Sequence, residues 1–186
     1  MDAFFVSTAV VAVAEIGDKT QLLALVLACR FRKPMPILFG MLAATLANHA
    51  AAAFAGTWIT QSVDPAILRW VLGASFLAVA VWALIPDKLD EEPKLSKLAG
   101  PFLTTLVAFF LVEIGDKTQI ATVGLAIRFD SLLAVVAGTT FGMMLANAPV
   151  IYFGEALARQ MPLRLVRICA ATAFAVLGIS VLLGWP

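Results

Sequence analysis

The seven residues Glu15-Ile16-Gly17-Asp18-Lys19-Thr20-Gln21 recur unchanged from Glu113 to Gln119, and both copies lie inside long apolar stretches. No other feature constrains the fold as much. A single charge at the centre of a bilayer costs at least about 2.5–3.5 kcal/mol on insertion scales. Six such charges (Glu15, Asp18, Lys19, Glu113, Asp116 and Lys117) cannot face lipid. They must face each other, water or a ligand. That the bilayer is the solvent follows from composition: 62% of the chain is hydrophobic and 13% charged, against about 45–50% and about 25% for a soluble domain.

The duplication extends beyond the motif. Glu15 to Phe31 aligns with Glu113 to Phe129 at a constant offset of 98, and 11 of those 17 positions are identical. Gly40 pairs with Gly138 and Arg69 with Arg167. Leu46-Ala47-Asn48 pairs with Leu145-Ala146-Asn147 after a slip of one residue.

A spanning helix needs roughly 20 mainly apolar residues. Six such stretches are expected, at about 3–28, 36–60, 66–86, 101–127, 131–157 and 163–184. The sequence therefore predicts an all-α polytopic membrane protein. Residues 1–86 form a first three-helix repeat, 87–100 a charged cytoplasmic linker and 101–186 a second three-helix repeat. Between Asp87 and Lys97 the linker carries four acids, three bases and Pro93, the composition of a solvated hinge. An odd number of spans per half places the second half upside down. Such inverted repeats hold their sites near the midplane in many secondary transporters.

Lysine and arginine set the orientation. The loops after spans one, three and five hold Arg30, Arg32, Lys33, Lys88, Lys94, Lys97, Arg159, Arg164 and Arg167; the opposite side holds Arg69 and Arg128. Both termini are thus expected outside the cytoplasm. Trp58, Trp70 and Trp185 fall near the outer interface and Trp82 near the inner one. The start of the chain lacks the basic segment of a cleavable signal peptide, so the first apolar stretch is expected to stay as a span.

Glu and Asp three positions apart share one face of a continuous helix. Glu15 with Asp18, and Glu113 with Asp116, are therefore expected to project together. Inverted symmetry brings the two faces toward one axis. Four carboxylates around one cavity suit a hard cation that takes oxygen ligands. Gly17 and Gly115 permit either close helix approach or a local break whose carbonyls add ligands. The four carboxylates and two lysines leave a net charge that one divalent ion, or two protons, would neutralise. That equivalence is a physical basis for exchange of metal against protons. Thr20, Gln21, Thr118 and Gln119 extend the site. Asn48 and Asn147 hold matching places in the second span of each half, as ligands, as carboxylate holders or as simple helix clamps.

Blander readings fit the remaining polar residues. His49, the sole histidine, faces Ala148 in the repeat alignment and reads as a packing or interfacial residue. Met143 and Met144 read as packing, Pro149 as a kink, and Glu155 and the run Asp90-Glu91-Glu92 as solvated charges. Cys29 and Cys169 read as small buried hydrophobes, not a disulfide. A net charge of +1 gives no basic surface for nucleic acid. Neither a Ser-His nor a Cys-His pair exists for catalysis, so no enzyme and no cofactor are expected. A passive channel is the rival within transport. The sequence leaves an oligomer open.

The doubled Glu-x-Gly-Asp-Lys-Thr motif in a six-span chain resembles the Golgi calcium/manganese–proton exchangers and their bacterial relatives, the MneA-type manganese exporters. The resemblance covers essentially the whole chain. It implies secondary transport of Mn2+ or Ca2+ out of the cytoplasm, coupled to protons, with Glu15, Asp18, Glu113 and Asp116 as the motif acids. The short N-terminus is similar to that of the bacterial members, which points to Mn2+ export across the inner membrane. Protons, divalent cations and the lipid bilayer are the implied partners.

Overall fold

The computed structural model describes residues 1–86, 100–129, 131–154 and 162–184. The acidic run of the linker, Glu155, Arg159 and Trp185 lie outside them. The described residues form helices and their connections: α1 Asp2–Glu15, α2 Lys19–Phe31, α3 Pro34–Ser62, α4 Pro65–Ala83, α5 Gly100–Glu113, α6 Lys117–Phe129, α7 Leu132–Phe153 and α8 Leu163–Leu182. Four of them, α3, α4, α7 and α8, are long and apolar enough to cross a membrane. Proline marks two starts, Pro34 for α3 and Pro65 for α4, where a missing N–H costs nothing. Asp64 caps α4, its Oδ1 accepting the Ala66 N–H at 2.8 Å.

The stretches 3–28 and 101–127 are not the continuous helices the hydrophobic pattern predicts. Each is cut at its motif. Helix α1 stops at Glu15 and α2 begins at Lys19; α5 stops at Glu113 and α6 begins at Lys117. Gly17 and Gly115 take φ of 80° and 77°, left-handed values that favour glycine. Of the two roles open to these glycines, the break is the one seen. Apolar stretches flank the motif on both sides and together read as one span, which is why the pattern does not reveal the interruption.

The halves interleave rather than sit side by side. Helix α1 packs along α7, and α5 packs along α3. A Cβ on Gly40 would lie 2.5 Å from Phe102 O and 2.9 Å from Thr105 Cβ; one on Gly138 would lie 2.5 Å from Phe4 O and 3.0 Å from Ser7 Cβ. Phe4 and Phe102, and Ser7 and Thr105, are themselves 98 residues apart. The same backbone-to-glycine approach therefore recurs in both halves, with partners exchanged.

Helices α4 and α8 pair with each other. Their Phe76 and Phe174 stack at 6.5 Å between ring centroids in a core shared with Leu72, Leu125 and Leu177. A second core gathers Leu23, Leu27, Ile37, Met41 and Phe109. The two cysteines are free and exposed. This corrects the buried reading, since apolar helices in a bundle show one face outward and both thiols fall on that face.

Candidate cation site

The two breaks meet in the interior. A broken helix leaves the N–H groups of the connecting turn without helical partners, and the motif glutamine accepts from one of them. Gly17 N–H donates to Gln21 Oε1 at 2.9 Å and Gly115 N–H to Gln119 Oε1 at 2.7 Å. The turn closes the same way twice. Asp18 N–H donates to Glu15 O at 3.0 Å and Asp116 N–H to Glu113 O at 3.1 Å. Glu and Asp therefore come together through a turn, at the end of one helix and the start of the next. They do not share one helix face, as a continuous helix would require.

All four acids are buried, at 0% for Glu15, Glu113 and Asp116 and 1% for Asp18. The lysines cross between halves. Lys19 Nζ lies 2.8 Å from Asp116 Oδ1, and Lys117 Nζ lies 2.7 Å from Asp18 Oδ1. The threonines sit against the glutamates, and Thr118 bonds Glu15 of the other half as well as its own motif. Thr20 Oγ1 donates to Glu15 Oε2, while Thr118 Oγ1 reaches Asp116 Oδ2 at 3.2 Å and Glu113 Oε2 at 3.4 Å.

Glu15, Glu113 and Asp116 can each offer an oxygen within 4.8 Å of the others, as a metal site requires. Asp18 is outside this triad and holds Lys117. Glu15 Oε1 and Glu113 Oε1 are buried with no hydrogen-bond partner among the described residues. Two unpartnered carboxylate oxygens in a dry interior are costly, and a cation or a proton would satisfy both. The start of α2 and the start of α6 also converge here, and their dipoles favour the nearby anions.

The secondary candidates divide. Gln21 braces its own break and, through Nε2, holds Ala146 O of α7 at 3.0 Å. Asn48 Nδ2 donates to Phe110 O of α5 at 3.1 Å, which is a helix clamp. Asn147 Nδ2 binds Met143 O and Sδ, both at 3.1 Å, leaving its buried Oδ1 without a partner among the described residues. His49 is fully buried, neither interfacial nor hydrogen-bonded through either ring nitrogen among the described residues.

The surroundings are not symmetric. A Cβ on Gly17 would meet Leu163 Cδ2 of α8 at 2.6 Å, whereas none of the described residues lies within 4 Å of one on Gly115. Helix α8 leans on α1, and α4 leans on α6. Among the described residues, one break is covered and the other is open.

A helical, membrane-type bundle with a buried, cross-braced carboxylate centre built from two sequence repeats is the class of protein that handles small cations. The family model "Divalent cation/proton antiporter GDT1" matches residues 3–91 and 101–185, and the chain belongs to this family. It is 51% identical to a protein named "Putative manganese exporter" from Vibrio cholerae serotype O1, over 97% of this chain and 90% of that one. It is 28% identical to GDT1-like protein 5 of Arabidopsis thaliana, over 98% and 96% of the two chains. GDT1-like protein 3 of Oryza sativa subsp. indica shares 27% identity, over 97% of this chain and 72% of its own. No solved structure matches the chain.

Proposed function

We propose that this protein exports Mn2+ from the cytoplasm in exchange for protons, with Glu15, Glu113 and Asp116 as the cation's ligands. The observation that carries the reading is the approach of these three buried carboxylates to within 4.8 Å, from both halves of the chain. Oxygen donors of this kind suit Mn2+ and Ca2+ alike. The bacterial relative named for manganese export favours Mn2+.

In this reading α1 with α2, and α5 with α6, are two discontinuous spans, which gives six spans in two inverted repeats. The chain sits in a bacterial inner membrane with both termini outside. Asp18 and Asp116 are held by Lys117 and Lys19. The unpartnered oxygens of Glu15 and Glu113 therefore take either the cation or two protons, and the charge of the site is the same either way. Asn147 Oδ1 is a candidate fourth ligand. Alternating exposure follows from the uneven covering of the breaks, with Leu163 over Gly17 in one state and Gly115 covered in the other.

The test is flux in liposomes, comparing Mn2+ with Ca2+, with and without a pH gradient, alongside Glu15→Gln/Asp116→Asn. Acid-dependent Mn2+ flux that moves protons is the expected result. Preferential Ca2+ flux would keep the site and change the cargo. Flux indifferent to the acids would overturn the reading.

A further inference from the structure

The paired helices α4 and α8 leave a groove of about 430 Å³ between them, lined by Leu77, Ala80, Leu84, Ile168, Ala171 and Ala175 among others. Its one hydroxyl, on Thr172, is already engaged with Ile168 O at 2.8 Å. With its donor already used, the wall is almost wholly apolar and offers a polar ligand little. At the end where α4 finishes and α8 starts, the groove runs into a second hollow of about 420 Å³. That hollow shares Leu84 and Ile168 with the groove and adds Arg164 and Arg167. Neither arginine makes an ion pair among the described residues. Exposed Leu84, Ile85, Leu165 and Ile168 surround this end, so it stands at the edge of the apolar belt.

We propose that this continuous groove is a binding site for one anionic phospholipid, with an acyl chain between α4 and α8 and the phosphate on Arg164 and Arg167. An acyl chain gains little by moving from bilayer to groove, because both are equally apolar. The selectivity must then lie in the headgroup. Two guanidinium forks match a phosphate's oxygens, and basic hollows between helices at a membrane surface favour anionic lipids. A second copy of this chain is a poorer occupant. Two copies inserted the same way would bring the same arginines face to face, and like charges at an interface are repulsive.

Arg167 also lines the narrow gap that leads past Gly17 to Asp18 and Lys117. A bound phosphate would thus offset a positive charge beside the buried ion pair. The site is independent of which cation the carboxylates take.

The experiment is native mass spectrometry of the full chain with phosphatidylglycerol and phosphatidylcholine of identical acyl chains. The expected result is one retained lipid, with phosphatidylglycerol preferred roughly tenfold and the preference weakened by salt. Arg164→Gln/Arg167→Gln should abolish the preference, and Ala175→Phe, which fills the groove, should lower retention of both lipids. If the double variant does not fold, the salt series and Ala175→Phe on the otherwise native chain decide. Equal retention of the two lipids, a preference indifferent to salt or to the arginines, displacement by inorganic phosphate alone, or a dimer that excludes lipid would each overturn the proposal.

Discussion

Lys19 reaches across the molecule to Asp116, 2.8 Å away, while Lys117 returns the contact to Asp18 at 2.7 Å. The two pairs are chemically alike but differently placed. Lys19 keeps a quarter of its side chain exposed, and Lys117 keeps 4%. Breaking a buried pair from one side leaves an uncompensated charge and costs about 3–5 kcal/mol. Lys117→Met is therefore expected to cost about that much stability, and Lys19→Met distinctly less, because water can reach Asp116's orphaned partner position. Thermal unfolding followed by tryptophan fluorescence measures both. Equal losses would contradict the difference in burial. In flux assays Lys19→Met should retain the cation more strongly or stop turnover, and unchanged transport would make the lysine peripheral.

Glu15→Gln and Glu113→Gln separate function from stability. Each removes a buried charge and keeps the shape, and a neutral amide is easier to bury than a carboxylate. Mn2+ flux is expected to fall at least tenfold, with a melting temperature equal to or above that of the native chain. A large loss of stability in either variant would mean that these acids are structural.

The glycines at the breaks give a paired prediction. An alanine at left-handed φ costs about 1 kcal/mol or more, so Gly115→Ala, with none of the described residues within 4 Å of its Cβ, should lose about that. Gly17→Ala adds an encounter with Leu163 at 2.6 Å and should lose more. Truncating the neighbour in Gly17→Ala/Leu163→Ala should relieve the excess in a double-mutant cycle. Additive losses would show that Leu163 does not press on the break.

Metal binding should weaken as pH falls, because carboxylate ligands bind metal only when deprotonated and release protons as they do so. The sign is fixed: proton and cation compete for the same oxygens. Mn2+ is expected to raise the melting temperature more at pH 8 than at pH 5.5, and the difference should vanish in Glu15→Gln/Glu113→Gln. A stabilisation independent of pH would contradict competition at this site.

Much of this is legible in the sequence. The repeated motif, its burial and the grouping of acids follow from the cost of charge in an apolar stretch. What stayed hidden is tertiary. Apolar residues flank Ile16-Gly17-Asp18 on both sides over a span's length, so the pattern predicts a helix where the chain turns. The position of the break depends on Gln21 and Gln119 reaching back to Gly17 and Gly115. The sequence places the lysines among the acids of one cavity, yet nothing along the chain says that Lys19 answers Asp116 rather than its neighbour Asp18. Asn48 and Asn147 look equivalent in sequence; one clamps Phe110 O and the other leaves an oxygen free among the described residues. Cys29 and Cys169 look buried because their neighbours are apolar, which in a membrane-type bundle says nothing about which way a side chain faces.

The crossed pairs also bear on ancestry. Each motif holds the cation that the other motif's anion requires, so one half alone is chemically unfinished. An ancestral half-length protein of this design would complete itself only by meeting a second copy of itself. After fusion, a spelling change in one motif is felt first in the other, and the two copies are bound to a shared vocabulary.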